Sequence, residues 1–151
     1  MSSANADSRY RVATNNEQAQ MAIDVAALES AVCETLRFEQ IAEAEISLAI
    51  VNGVRMRELN NRFLQHDYDT DVLSFLLDSA GAGAQRSIEG EIIVSIDMAI
   101  RQAREHQQTV PDELELYVVH GTLHLCGYDD QTEAEASVMR DLESKVLRAR
   151  R

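Results

Sequence analysis

Cysteine is scarce in this chain: Cys33 and Cys126 are its only two, and they form no C-x-x-C pair. That excludes a disulfide framework and predicts two buried, reduced thiols. Pro111 is the single proline, glycine numbers six, and nothing repeats or runs to low complexity. Collagen-like, solenoid and linker-rich architectures are therefore excluded. No apolar run approaches the roughly 20 residues that span a bilayer, and residues 1–16 lack the apolar core of a signal peptide. Lysine is rarer still, since Lys145 is the only one among 14 basic residues, which face 26 carboxylates. The net charge of −12 predicts repulsion of polyanions and argues against charge-driven binding of nucleic acid at large. Arginine forks suit specific phosphate or carboxylate pairing, or simply surface ion pairs.

What is present is a globular composition, 45% hydrophobic and 26% charged over 151 residues. It predicts one cytoplasmic domain over residues 1–151, with no membrane association. Residues 1–16 read as a loosely ordered start, in which Arg9–Ala13 has the makings of a short strand. Ile23, Ala27, Leu28, Ala31, Val32 and Leu36 recur at helical spacing and predict an amphipathic helix over 21–38. Ile46, Leu48 and Ile50 alternate with Ser47 and Ala49 ahead of Asn52-Gly53, a strand entering a turn. A short helix over 55–64 follows. Val72–Leu77 and Glu91–Ile96 read as strands of a hairpin joined through a mobile Gly81–Ala84 connection, and 97–107 as a helix. Thr109, Pro111 and Asp112 open another helix, and Thr132 with Glu135 forms a capping box for the last. Strands early and helices late predict an α+β fold, a small mixed sheet of about four strands covered by helices.

One segment stands apart. His120 and His124 lie four residues apart on a helix that is apolar on most sides, so both imidazoles share a face. Gly127 offers the left-handed conformation that stops a helix, and a chain doubling back there brings Asp130 over the pair. Two imidazoles and a carboxylate make a three-ligand metal site at the end of a buried helix, with a fourth position for water. That open pattern belongs to catalytic rather than structural zinc. The bland reading of the same residues is two hydrogen-bonded core histidines, with Asp130 merely preceding the Thr132 cap. Cys126 is a further candidate ligand, displaced around the helix from His124. Asp129 is either a turn residue or a partner to a ligand. Zinc peptidases with this spacing carry a glutamate base directly after the first histidine; here Gly121 occupies that position, which disfavours their mechanism. Arg55, Arg57 and Arg62 either offer a cation to a phosphoryl transition state or form a solvated helix face.

Four stretches occur together: Thr70-Asp71-Val72-Leu73-Ser74-Phe75, Gly90-Glu91-Ile92-Ile93-Val94-Ser95, the run H-G-T-L-H-L-C-G-Y-D-D from His120 to Asp130, and Met139–Glu143. In this order they resemble the YbeY family over about Ile46–Leu147. The resemblance implies a single-strand-specific, metal-dependent endoribonuclease of small-subunit ribosomal RNA maturation and ribosome quality control, using a metal-activated water. It implies one divalent ion, zinc, on His120, His124 and Asp130. Precursor ribosomal RNA and ribosomal or ribosome-associated proteins are the implied partners, with no nucleotide cofactor. Three positions depart from the family. Asp130 stands where a third histidine is usual, and Glu91 where an aspartate is. Leu64 stands where an arginine is usual, leaving Arg62 as the candidate for phosphate stabilisation. A carboxylate oxygen binds zinc at about 2.0–2.2 Å, much as an imidazole does, so His/His/Asp remains a legitimate set. Its negative charge predicts a less acidic bound water and more tolerance of harder ions such as manganese. The alternative is a ribosome-biogenesis binding factor whose metal holds the helix turn while nuclease activity has faded, as Leu64 suggests.

Overall fold

A computed structural model describes residues 7–65 and 70–150. Strand β1 (Tyr10–Asn16) pairs in parallel with β2 (Glu43–Val51), and β2 in parallel with β4 (Ser87–Ser95). Strand β3 (Val72–Ala80) runs antiparallel to β4 on its outer side, so the mixed four-stranded sheet has the order β1-β2-β4-β3. The expected α+β architecture is what forms. The loose start does not reach residue 16, because Tyr10 and Val12 are buried in the core and tie β1 into the sheet. Residues 1–6 lie outside the described residues.

Alternation dictates which side each strand buries. Tyr10, Val12, Ile46, Leu48, Ile50, Ile88, Ile92 and Val94 share one face, where helices α1 (Val25–Phe38) and α4 (Val110–Leu125) cover them. Helix α1 begins four residues later than its periodicity suggests. The Asp24 carboxylate accepts the Ala27 N–H at 3.1 Å and fixes the start there. On the other face, helix α2 (Gly53–Leu64) closes a smaller cluster of Val51, Met56, Leu59 and Leu73. Asn52-Gly53 proves to be a helix start rather than a free turn. The Asn52 side chain accepts the Arg55 N–H at 2.8 Å, and the Asp97 carboxylate takes the Gly53 N–H.

The β3–β4 hairpin forms as expected, its connection tightened by a 3-10 turn at Gly83–Gln85. Its register slips between Leu76 and Asp78, leaving Leu77 as a bulge in an edge strand. Helices α3 (Ile96–Glu105) and α5 (Glu133–Ala149) complete the chain, the latter opened by the full Thr132/Glu135 capping box. Among the described residues, no helix is long and apolar enough to cross a membrane.

Two glycines set how closely α4 lies on the sheet. A Cβ on Gly121 would meet an Ile92 methyl at 2.9 Å and a Val72 methyl at 3.2 Å. One on Gly90 would meet both Leu125 methyls at 2.9 Å. Their hydrogens let helix and sheet approach until α4 is buried along most of its length, carrying its histidines to the edge of the core.

Candidate metal centre

Helix α4 starts where the sequence indicates, with the Thr109 hydroxyl accepting the Asp112 N–H at 3.2 Å. Its far end is held from outside. Arg86 donates from Nη1 to the Cys126 carbonyl at 2.5 Å and from Nη2 to the Leu125 carbonyl at 3.3 Å. Those are acceptors a helix end leaves unpaired, and a cation suits the negative end of the helix dipole. The chain then reverses through Gly127 at φ +112°, with the Tyr128 N–H returning to the Leu123 carbonyl at 3.1 Å. This turn lays Tyr128 and Asp130 across the two histidines.

His120 Nδ1 lies 2.5 Å from Glu143 Oε2, and His124 Nδ1 lies 2.9 Å from the Tyr128 carbonyl oxygen. A carboxylate and a carbonyl only accept, so each Nδ1 carries the proton and each Nε2 keeps a lone pair. The two Nε2 atoms face each other at 3.0 Å. Asp130 closes the third side, with Oδ2 3.3 Å from His120 Nε2 and Oδ1 3.6 Å from His124 Nε2. Ligand atoms about 2.0–2.1 Å from a tetrahedral ion stand about 3.3 Å apart, so the donor set fits a small divalent cation in both spacing and chemistry. Among the described residues these three form the one group of this kind. The side chains are 24%, 25% and 40% exposed, which leaves the cluster open to solvent on one side. Burial opposes the His120 imidazolium, but the Glu143 hydrogen bond and charge, with Asp130 and Asp71 beyond, outweigh it and raise its pKa.

The other sequence candidates fall in different places. Burial pushes the Cys126 thiol up to about 12, and its sulfur lies outside the cluster. Asp129 Oδ1 accepts the Asp130 N–H at 2.8 Å, a turn contact. A groove of about 580 Å³ opens beside His124, walled by Leu64, Val72, Phe75, Leu76, Tyr128 and Gln131. Leu64 thus lines the groove beside His124, whereas Arg62 does not. The Arg62 guanidinium sits over the Phe63 ring, 5.4 Å from its centroid. Arg55 lines a second groove, on the opposite face of the sheet, with Ser47, Phe63 and Glu91.

Sequence reading missed Glu143 and Arg86 as parts of this centre. Glu143 did carry a signal. It falls between Met139 and Val146 on the buried stripe of α5, where an acid is out of place without a partner. Arg86, at the mouth of a hairpin, carried none.

Fold and site together define a class: α+β proteins with an open His/His/carboxylate centre at the C-terminal end of a buried helix. Residues 12–151 match the family described as Endoribonuclease YbeY, and the chain belongs to that family. Relatives bearing that same name include one from Salinibacter ruber, 41% identical over 76% of this chain and 81% of its own length. Another, from Pelotomaculum thermopropionicum, is 37% identical over 90% of this chain and 94% of its own. A third, from Anaeromyxobacter dehalogenans, is 42% identical over 71% of this chain; the match spans about half of that relative, 54% of its length. The solution structure of TM1509 from Thermotoga maritima superimposes with a TM-score of 0.58 at 27% identity, covering 91% of this chain and 85% of that one.

Proposed function

We propose that this chain is a metal-dependent endoribonuclease that cuts single-stranded precursor ribosomal RNA in small-subunit maturation, in the cytoplasm, as one domain. One ion per chain, zinc, is held by His120, His124 and Asp130. The observation that carries the reading is the pair of Nε2 lone pairs turned on each other at 3.0 Å, with a carboxylate on the third side. The relatives' shared name supplies the reaction class.

A divalent ion held there would supply Lewis-acid polarisation of a phosphoryl oxygen and a more acidic water. The chain's own part is to bind and orient. Two imidazoles with committed Nδ1 protons offer neutral donors, and Asp130 offers the anionic one. The groove beside them, walled by Leu64, Val72, Ser74 and Leu76, is the room a substrate strand would take next to His124. Arg62 stays the candidate cation for the phosphate, although its guanidinium rests over the Phe63 ring and outside this groove. Ribosomal or ribosome-associated proteins would bring RNA to a body this acidic.

Leu64 favours a second reading. It walls the groove with no lysine or arginine among the described lining residues, as expected of an assembly factor whose metal is structural. Metal analysis of wild type, His124→Ala and Asp130→Ala tests both. About one zinc per chain, lost or much weakened in each variant, supports the centre, and no uptake by wild type sinks it. Cleavage of a single-stranded ribosomal RNA fragment that Asp130→Ala abolishes selects the nuclease. Zinc binding and ribosome association without cleavage select the assembly factor.

A further inference from the structure

We infer that Glu143 is a positioning residue of the metal centre: by accepting the Nδ1–H of His120 it fixes the tautomer and ring plane that turn Nε2 toward the ion. The inference rests on the metal reading above. Glu143 comes from α5, a different helix from either histidine, and is only 8% exposed on a stripe with Met139 and Val146. An isolated carboxylate is unfavourable there, and its hydrogen bond goes to His120 at 2.5 Å. The opposite nitrogen of that ring points into the lone-pair cluster.

His124 shows what the arrangement achieves, because its Nδ1–H is oriented by the Tyr128 carbonyl from its own helix turn. Two ligands are thus set by unlike acceptors, one a neutral backbone group and one a charged side chain. Only the charged acceptor adds basicity to its ligand, and only it couples the ligand to α5. The buried acid of α4 provides the contrast. Glu113 also meets a histidine, His106, but that ring is 49% exposed and stands outside the cluster. Glu113 is a structural partner, while Glu143 lies behind a ligand.

The test uses the full chain with Glu143→Met, which fills the space without an acceptor, and Glu143→Gln, which keeps one. Zinc affinity is read by competition with a chromophoric chelator. Ring tautomers of the metal-free protein are read by long-range nitrogen–proton NMR. Wild type should show the Nδ1–H form at both histidines. Glu143→Met should weaken zinc about 10–100-fold and mix the tautomers of His120 but not of His124. Glu143→Gln should keep the His120 tautomer and recover most of the affinity, falling short because a neutral amide adds no basicity. A folded Met variant with wild-type affinity and tautomers overturns the inference. Should that variant not fold, wild-type affinity in Glu143→Gln overturns it and a partial loss supports it. If wild type takes up no zinc while Glu143→Met still mixes the His120 tautomers, the positioning stands and the metal reading falls.

Discussion

Carboxylates seldom stay buried without a partner, and helices α4 and α5 each give theirs a histidine. The pair remote from the centre makes a pH prediction. His106 Nδ1 lies 3.0 Å from Oε1 of the fully buried Glu113, and this hydrogen bond, against a smaller effect of burial, raises the His106 pKa. A raised folded-state value means the pair contributes fully below the ordinary histidine value of about 6.5 and fades as pH rises through the higher one. The urea midpoint of wild type should therefore carry a downward step above about pH 6.5. His106→Gln should shrink that step, leaving the share that the raised His120 value carries, and equal slopes in the two proteins would dismiss the pair as a titrating contributor.

At the scale of elements, the seating of α4 decides where His120 and His124 sit. Gly121→Ala drives a methyl into Ile92 and Val72, and the helix must lift from the sheet between its two histidines. Overpacking of this kind costs about 1–3 kcal/mol. The urea midpoint should fall accordingly and zinc binding weaken with it; a variant with wild-type stability would show that the helix has room to spare. The sequence made this helix legible through strong signals: Thr109 and Pro111 at its start, Gly127 past its end, and two histidines one turn apart. It also marked the hairpin and the last helix, where alternation and the capping box each speak for themselves. Less legible were the starts of α1 and α2 and the end of α3: α1 opens at Val25 rather than at residue 21, α2 at Gly53 rather than 55, and α3 stops at Glu105, ahead of a left-handed Gln107 at φ 56°. Glutamine sends no stop signal, and Asp24 and Asn52 open the other two helices through side-chain caps that a turn would use equally. The partners of Glu143 and Arg86 were obscure for a different reason, since they come from other elements. Spacing within one helix shows which residues share a face, but not which outside group meets that face.

Taken whole, the molecule meets RNA as one anion meets another, at net charge −12. Salt should then help the encounter. As the Debye length shrinks from about 30 Å at 0.01 M to about 8 Å at 0.15 M, repulsion is screened. Cleavage of a short RNA at constant divalent concentration should hold steady or rise across that range. A basic RNA binder shows the reverse slope. A steep fall would reveal a local cationic channel outweighing the body's charge.

The slip at Leu77 bears on how the protein behaves in a crowded solution. Strand β3 ends one side of the sheet and exposes Leu76 and Leu77, the combination that seeds fibrils when a free edge is regular. With the bulge in place, a second chain laid along that edge finds its donors and acceptors out of step beyond Leu76, and then meets the charge of Asp78. The irregularity that weakens the hairpin locally therefore guards the molecule against self-templated aggregation.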